Sequence, residues 1–193
     1  MKRLVFLASL LVSMMLMNFS VSQAATVRVA DIGVYNLIQD MRTTIRAANK
    51  EITNYVPVTI GNAVRVPQID KNYTGCSGWV SKIYKKGTNE QKALITFYVN
   101  GQGYISRINF LLLDTEDPQQ LAGKVFGLMF LSLRMSEDDL PSLLQSARNV
   151  QLADDDTRII HESIYCSAKK RYFDLDFYSV NYGHLNVDIT GRI

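Results

Sequence analysis

Histidine and cysteine are almost missing from this chain, which has two of each in 193 residues. The histidines are His161 and His184, and the cysteines are Cys76 and Cys166. Two cysteines 90 positions apart and two histidines give none of the close ligand spacings that mark a structural or catalytic zinc site, so the expectation is no metal. The chain has four prolines and one tryptophan, Trp79, and no proline-rich or low-complexity stretch divides it. It also lacks a nucleophile elbow, a zinc-binding helix, a phosphate loop and a thioredoxin-type cysteine pair. No cofactor is therefore expected, and a non-enzymatic role is favoured.

Charge of one sign is scarce as well. Lys and Arg number 21 against 18 Asp and Glu, a formal net charge of +3. Part of that charge sits in the first residues, MKRLVFLASLLVSMMLMNFSVSQAA. Lys2 and Arg3 precede an apolar run of about 14 residues, and Ser22 and Ala24 fit the small pockets of a signal peptidase. The run is shorter than the roughly 20 residues a spanning helix needs. Residues 1–24 are thus expected to be a signal peptide, leaving 25–193 as one domain with no transmembrane segment. Loss of Lys2 and Arg3 lowers the net charge from +3 to about +1. So balanced a surface disfavours nucleic acid as a partner, because phosphate-backbone binding depends on a concentrated positive field.

Export changes the meaning of the cysteines. An even pair in an oxidising compartment is most simply a disulfide, so Cys76 and Cys166 are expected to bridge. Closing a loop that long would stabilise the fold by about 4 kcal/mol in the loop-closure picture. A catalytic Cys76 would need a base, and only His161 and His184 are on offer. The short basic leader points to a bacterial periplasm or to secretion, although Asn72-Tyr73-Thr74 would be a glycosylation acceptor in a eukaryotic pathway.

Hydropathy periods give the elements. Val34, Leu37, Ile38, Met41, Ile45, Ala48 and Ile52 recur every three or four residues, predicting an amphipathic helix from Asp31, its expected N-cap, to about Ile52. The pattern then turns to β-branched and aromatic runs: AVRVPQI, GWVSKIYKK, KALITFYV and GYISRINFLLL. Asn100 to Gly103 lies between the last two and reads as a hairpin loop. Asp117-Pro118 opens a helix expected to reach Leu133, apolar around most of its circumference and so a core element. Gly123 and Gly127 allow close packing there. Ser136 and Asp139 have the spacing of a capping box for a second helix ending near Asn149. Three strands follow, Ile159–Cys166, Arg171–Val180 and Leu185–Ile189. The fold class is α+β: antiparallel sheet packed against an N-terminal amphipathic helix and a central helix pair. The order helix, strands, helices, strands hints at two similar halves, although the residues do not repeat.

Alternation along the last hairpin selects the first candidate site. Phe173, Leu175 and Phe177 share one strand face. Tyr172, Asp174, Asp176 and Tyr178 share the other, with Asn186 and Asp188 on the polar side of the final strand. Tyrosine combines large contact area with a hydrogen-bonding tip, so these six residues form a candidate protein-binding face. Asp174 and Asp176, about 7 Å apart on one face, also have a separation compatible with glycoside hydrolysis. A second candidate is basic: Lys82, Lys85 and Lys86 after Cys76, and Lys169, Lys170 and Arg171 after Cys166. The two triplets merge into one patch if their strands run parallel and split if antiparallel. His161 beside Glu162 is a third, as a general base.

The expectation that follows is an exported, non-enzymatic domain that binds another envelope or secreted protein, in the manner of an inhibitor or immunity protein. A small envelope hydrolase using the aspartate pair is the alternative. Another is a carrier holding an apolar ligand between the sheet and the 118–133 helix. A homo-oligomer is compatible with all three.

Overall fold

The computed structural model describes residues 28–30, 32–51, 57–66, 77–113, 132–151, 159–180 and 184–192. Eight antiparallel strands make one sheet, and two helices cover one of its faces. The elements in chain order are α1 (Val34–Glu51), β1 (Val58–Ile60), β2 (Val64–Val66), β3 (Ser77–Lys85), β4 (Gln91–Val99) and β5 (Ile105–Leu112). After these come a short 3-10 turn (Glu137–Asp139), α2 (Leu140–Gln151), β6 (Ile159–Cys166), β7 (Arg171–Val180) and β8 (His184–Arg192). The sheet order is β1-β3-β4-β5-β8-β7-β6, with β2 also paired to β3.

Local chemistry accounts for the boundaries. The Gly33 carbonyl accepts the first intrahelical bond of α1, from the Leu37 amide at 3.1 Å; Asp31 lies outside the described residues. The hairpin loop behaves as its sequence requires. The Asn100 side-chain oxygen accepts from the amides of Gln102 and Tyr104, both at 3.0 Å, and Gly103 takes a φ of 85° that a side chain would strain. At the start of the second helix the Ser136 hydroxyl accepts from the Asp138 amide at 3.2 Å. The first member of the expected helix pair falls outside the described residues, apart from its end. There Ser132 donates to the Thr44 hydroxyl at 3.4 Å, Leu133 and Met135 are buried, and Arg134 turns the chain with a φ of 60°.

The core lies between helices and sheet. Leu37, Ile38, Met41 and Ile45 of α1 and Leu143, Ala147 and Val150 of α2 are buried in one cluster with alternate residues of β4, β5, β7 and β8, while Trp79 of β3 and Ile160 and Ile164 of β6 pack partly buried against it. Phe97, Phe110, Phe173 and Phe177 are its largest fully buried side chains. Burying a side chain of that size stabilises by about 1.5–3 kcal/mol each. Cross-strand pairs set the layers: Phe97 faces Ile108, Ile108 faces Ile189, and Ile189 faces Leu175.

Two three-stranded meanders, β3-β4-β5 and β6-β7-β8, meet through their last strands. Each is preceded in the chain by a helix, so the topology has an approximate two-fold at the β5–β8 seam. The two similar halves hinted at by element order are thus present as topology.

Candidate functional site

The face of the sheet opposite the helices carries the polar side chains, and its β6–β7–β8 part holds the residues of the first candidate site. Register places them in rungs. Ser163, Asp174, Thr190 and Arg107 form one, and His161, Asp176, Asp188 and Asn109 the next. Tyr165, Tyr172 and Arg192 lie beyond the first, while Ile159, Tyr178 and Asn186 lie beyond the second. The six residues anticipated from alternation therefore share one face.

Each aspartate on this face has partners. Asp188 accepts four hydrogen bonds. Arg107 donates two, Nε to Oδ1 at 2.9 Å and Nη2 to Oδ2 at 2.7 Å. Asn109 donates to Oδ1 at 2.9 Å and the Tyr178 hydroxyl to Oδ2 at 2.9 Å. Asn109 also donates to the Asn186 side-chain oxygen at 3.0 Å. Asp174 accepts from the Ser163 hydroxyl at 2.7 Å and from Arg192 at 3.2 and 3.3 Å. Asp176 lies 2.7 Å from His161 Nδ1. Asp176 and Asp188 are direct cross-strand neighbours, an arrangement that repels on its own. His161 on one side and Arg107 on the other supply the compensating charge.

Titration follows from these contacts. Partial burial raises the Asp174 carboxyl, but hydrogen bonds from Arg192 and Ser163 outweigh it and hold the group below its ordinary value. The hydrogen bond to Asp176 raises His161 above 6.5. Burial, then the charge and hydrogen bond of Asp188, push Tyr178 up to about 12. A glycosidase acid needs a raised carboxyl; Asp174 is lowered and clamped by an arginine, and Asp176 is committed to a histidine. The aromatic part of the face is more open. Tyr165 and Tyr172 rings lie 5.0 Å apart, the Arg192 guanidinium sits 4.8 Å over Tyr172, and Ile159 is exposed at its end.

The other expectations are placed differently. His161 and Glu162, adjacent in β6, point to opposite faces: Glu162 accepts a short hydrogen bond from Ser146 of α2. The carboxylate of His161 is Asp176. The basic triplets split, because β3 and β6 run antiparallel at opposite sides of the sheet and each triplet sits at its strand's C-terminal end. Arg171 is moreover buried, donating to the Arg28 carbonyl at 3.0 Å.

Cys76 lies outside the described residues. Cys166 is a buried free thiol, 3.3 Å from the Arg134 carbonyl. The expected Cys76–Cys166 bridge stays an expectation from the sequence, because residue 76 is not among the described ones.

Two features escaped sequence reasoning. Arg107 and Asn109 complete the Asp188 cluster from a distant part of the chain; their alternation with the buried Ile108 and Phe110 was the available signal. The other is a cavity of about 720 Å³ between α1 and the β2–β3–β4 end of the sheet, lined in part by Tyr35, Ile38, Arg42, Trp79 and Val99. Arg42 donates there to the Asn62 side-chain oxygen at 2.6 Å. Among the described residues no helix is long and apolar enough to cross a membrane, and no cluster of three or more potential metal ligands forms. No family model matches the chain, and neither a curated protein nor a solved structure gives a match.

Proposed function

We propose that this is an exported, non-enzymatic domain that binds another envelope or secreted protein through the tyrosine-rich open face of β6, β7 and β8. The observation that carries this reading is the state of that face. Its aspartates are already matched by Arg107, Arg192 and His161, so they are held as structure, while Tyr165 and Tyr172 stay exposed beside Arg192 and Ile159 stays exposed at the other end. Aromatic residues and arginine are the side chains that protein interfaces enrich, and rigid tyrosines lose little entropy on docking. The scaffold this reading needs is the sheet and its helices, stapled by the expected Cys76–Cys166 bridge. The test is capture from an envelope extract with the mature chain. Tyr172→Ala with Arg192→Ala, in a variant that keeps its circular dichroism, is expected to abolish recovery of the specific partner. Recovery unchanged by that variant counts against the reading.

The cavity beside α1 supports a second reading, a carrier of a small apolar ligand. Its volume is in the range of ligand sites, and aromatic walls with one arginine are the usual lining. The place anticipated for such a ligand, beside the 118–133 helix, lies outside the described residues up to position 131. A co-purified ligand in native mass spectrometry, displaced in Trp79→Ala, is the expected sign. The hydrolase alternative predicts hydrolysis of envelope polymer that disappears in Asp174→Asn and Asp176→Asn.

A further inference from the structure

β6 is an outer strand of the sheet, and no described strand pairs with its far side. The opposite side of the sheet ends in strands of three residues each, β1 and β2. Such short strands are one ordinary way in which proteins blunt an edge. Among the described residues β6 has one of the usual devices, the inward-pointing Glu162, and lacks the others. It runs eight residues and pairs with β7 at every position without a register shift. It contains no proline and no lysine. Its one acid, Glu162, points into the helix layer and accepts from Ser146.

The side chains of β6 have a further property. On the open face they run Ile159, His161, Ser163, Tyr165, and on the helix side Ile160, Glu162, Ile164. Over residues 159–165 both series are apolar at the ends and polar in the middle, with Glu162 at the midpoint, so the polarity pattern is the same from either end; Cys166, the eighth residue, lies outside it. An antiparallel second copy centred on Glu162 sets Ile159 against Tyr165 of that copy, and Tyr165 against its Ile159. His161 then meets Ser163, and Ile160 meets Ile164. Ile159 is 64% exposed and Tyr165 53%, and aromatic against β-branched is a favourable cross-strand pair. A two-fold axis requires this self-complementarity, because one patch must serve both partners.

We propose that two copies of this chain associate through β6, antiparallel about a two-fold axis at Glu162, so that their two sheets continue into one. The open faces of both copies then lie side by side, with the two Tyr165–Tyr172 pairs at diagonally opposite ends of the joined face, each beside Ile159 of the other copy. The proposal does not depend on any partner protein. It also contains its own weak point: the two Glu162 carboxylates face each other on the axis, where like charges directly opposite destabilise a strand pair.

Sedimentation equilibrium of the purified chain, from about 1 to 100 µM, tests this. A reversible monomer–dimer equilibrium is expected. Ile159→Lys with Tyr165→Lys, both at exposed positions, should weaken association by about tenfold or more by removing the end pairs and adding charge to the edge. Glu162→Gln should tighten it, by removing the repulsion on the axis. Amide exchange in β6 should slow as concentration rises, and this readout serves if the lysine variant loses its fold. A chain that stays monomeric throughout overturns the proposal. So does a dimer indifferent to the lysine substitutions and to Glu162→Gln, or one whose β6 amides exchange equally fast at both ends of the range.

Discussion

Arg107 and Asp188 clamp the two halves of the sheet together. Two parallel hydrogen bonds, 2.9 and 2.7 Å long, join them across the β5–β8 seam. Both side chains are largely buried, with 24% and 13% of their surface exposed. A planar guanidinium matched to a carboxylate is the strongest kind of protein ion pair. Asn109 and Tyr178 use the same carboxylate.

Removing that carboxylate takes the same acceptor from Arg107, Asn109 and Tyr178 at once. Asp188→Ala is expected to cost about 3 kcal/mol in urea unfolding, because several hydrogen bonds to a charged acceptor in a partly dry site are lost together. Asp188→Asn keeps some hydrogen bonding and should cost less. The Tyr178 phenol gives an independent readout. Its pKa of about 12 stands above the ordinary 10.0, through burial first and Asp188 second, so in Asp188→Asn it should titrate lower. The sign for stability follows: a raised pKa stabilises fully below pH 10, and the contribution is lost as pH rises through 12. Ultraviolet titration of the phenol separates this from global unfolding.

The pairing of His161 with Asp176 gives the open face a charge that changes near neutral pH. Its pKa is raised above 6.5 by the hydrogen bond to Asp176. The pair's stabilisation is fully present below pH 6.5 and disappears as pH rises through the folded-state pKa. Because both groups are half exposed or more, the contribution is held to about 1 kcal/mol or less. In Asp176→Asn, the His161 ring protons followed by NMR should titrate closer to 6.5. An unchanged titration would mean that Asp176 is not its partner in solution.

Most of the local structure was legible in the residues. Period-two alternation placed β6 and β7, and it separated Phe173, Leu175 and Phe177 from Asp174 and Asp176. Asn100 and Gly103 identified the hairpin because only a few residue types satisfy that turn. Order across the sheet was not legible. Nothing in Arg107 marks Asp188 as its partner 81 positions away, because strand alternation fixes a face and leaves the neighbour open. The lysine triplets show the cost: whether they merge depends on strand order, which composition does not encode, and that order places β3 and β6 at opposite sides of the sheet.

Thiol chemistry tests the expected bridge directly. Peptide mapping of monomer prepared without reductant is expected to yield a Cys76–Cys166 link, as two cysteines in an oxidising compartment predict. Two free thiols, with the buried Cys166 slow to label in the folded chain and quick in denaturant, would remove the bridge from the proposal.

Gly191 tests how the N-terminal segment is seated. The chain at Arg28 to Ala30 crosses this end of the sheet, where the Val29 amide donates to the Ile105 carbonyl at 2.7 Å. Arg171 reaches across to the Arg28 carbonyl at 3.0 Å. A Cβ on Gly191 would stand 1.8 Å from that same carbonyl oxygen and 2.5 Å from its carbon. The obstacle is backbone rather than a flexible side-chain tip, so no rotamer change relieves it. Gly191→Ala must displace residues 28–30, with loss of the Val29 and Arg171 hydrogen bonds, or distort β8 beside Phe173. A cost of about 3 kcal/mol or more is expected, at the upper end for overpacking, seen as a lowered urea midpoint with an unchanged slope. Gly101→Ala, whose added methyl meets nothing within 4 Å, is the control and should leave the midpoint near that of the parent chain. Equal midpoints for the two variants would show that the segment is not held against β8 in solution.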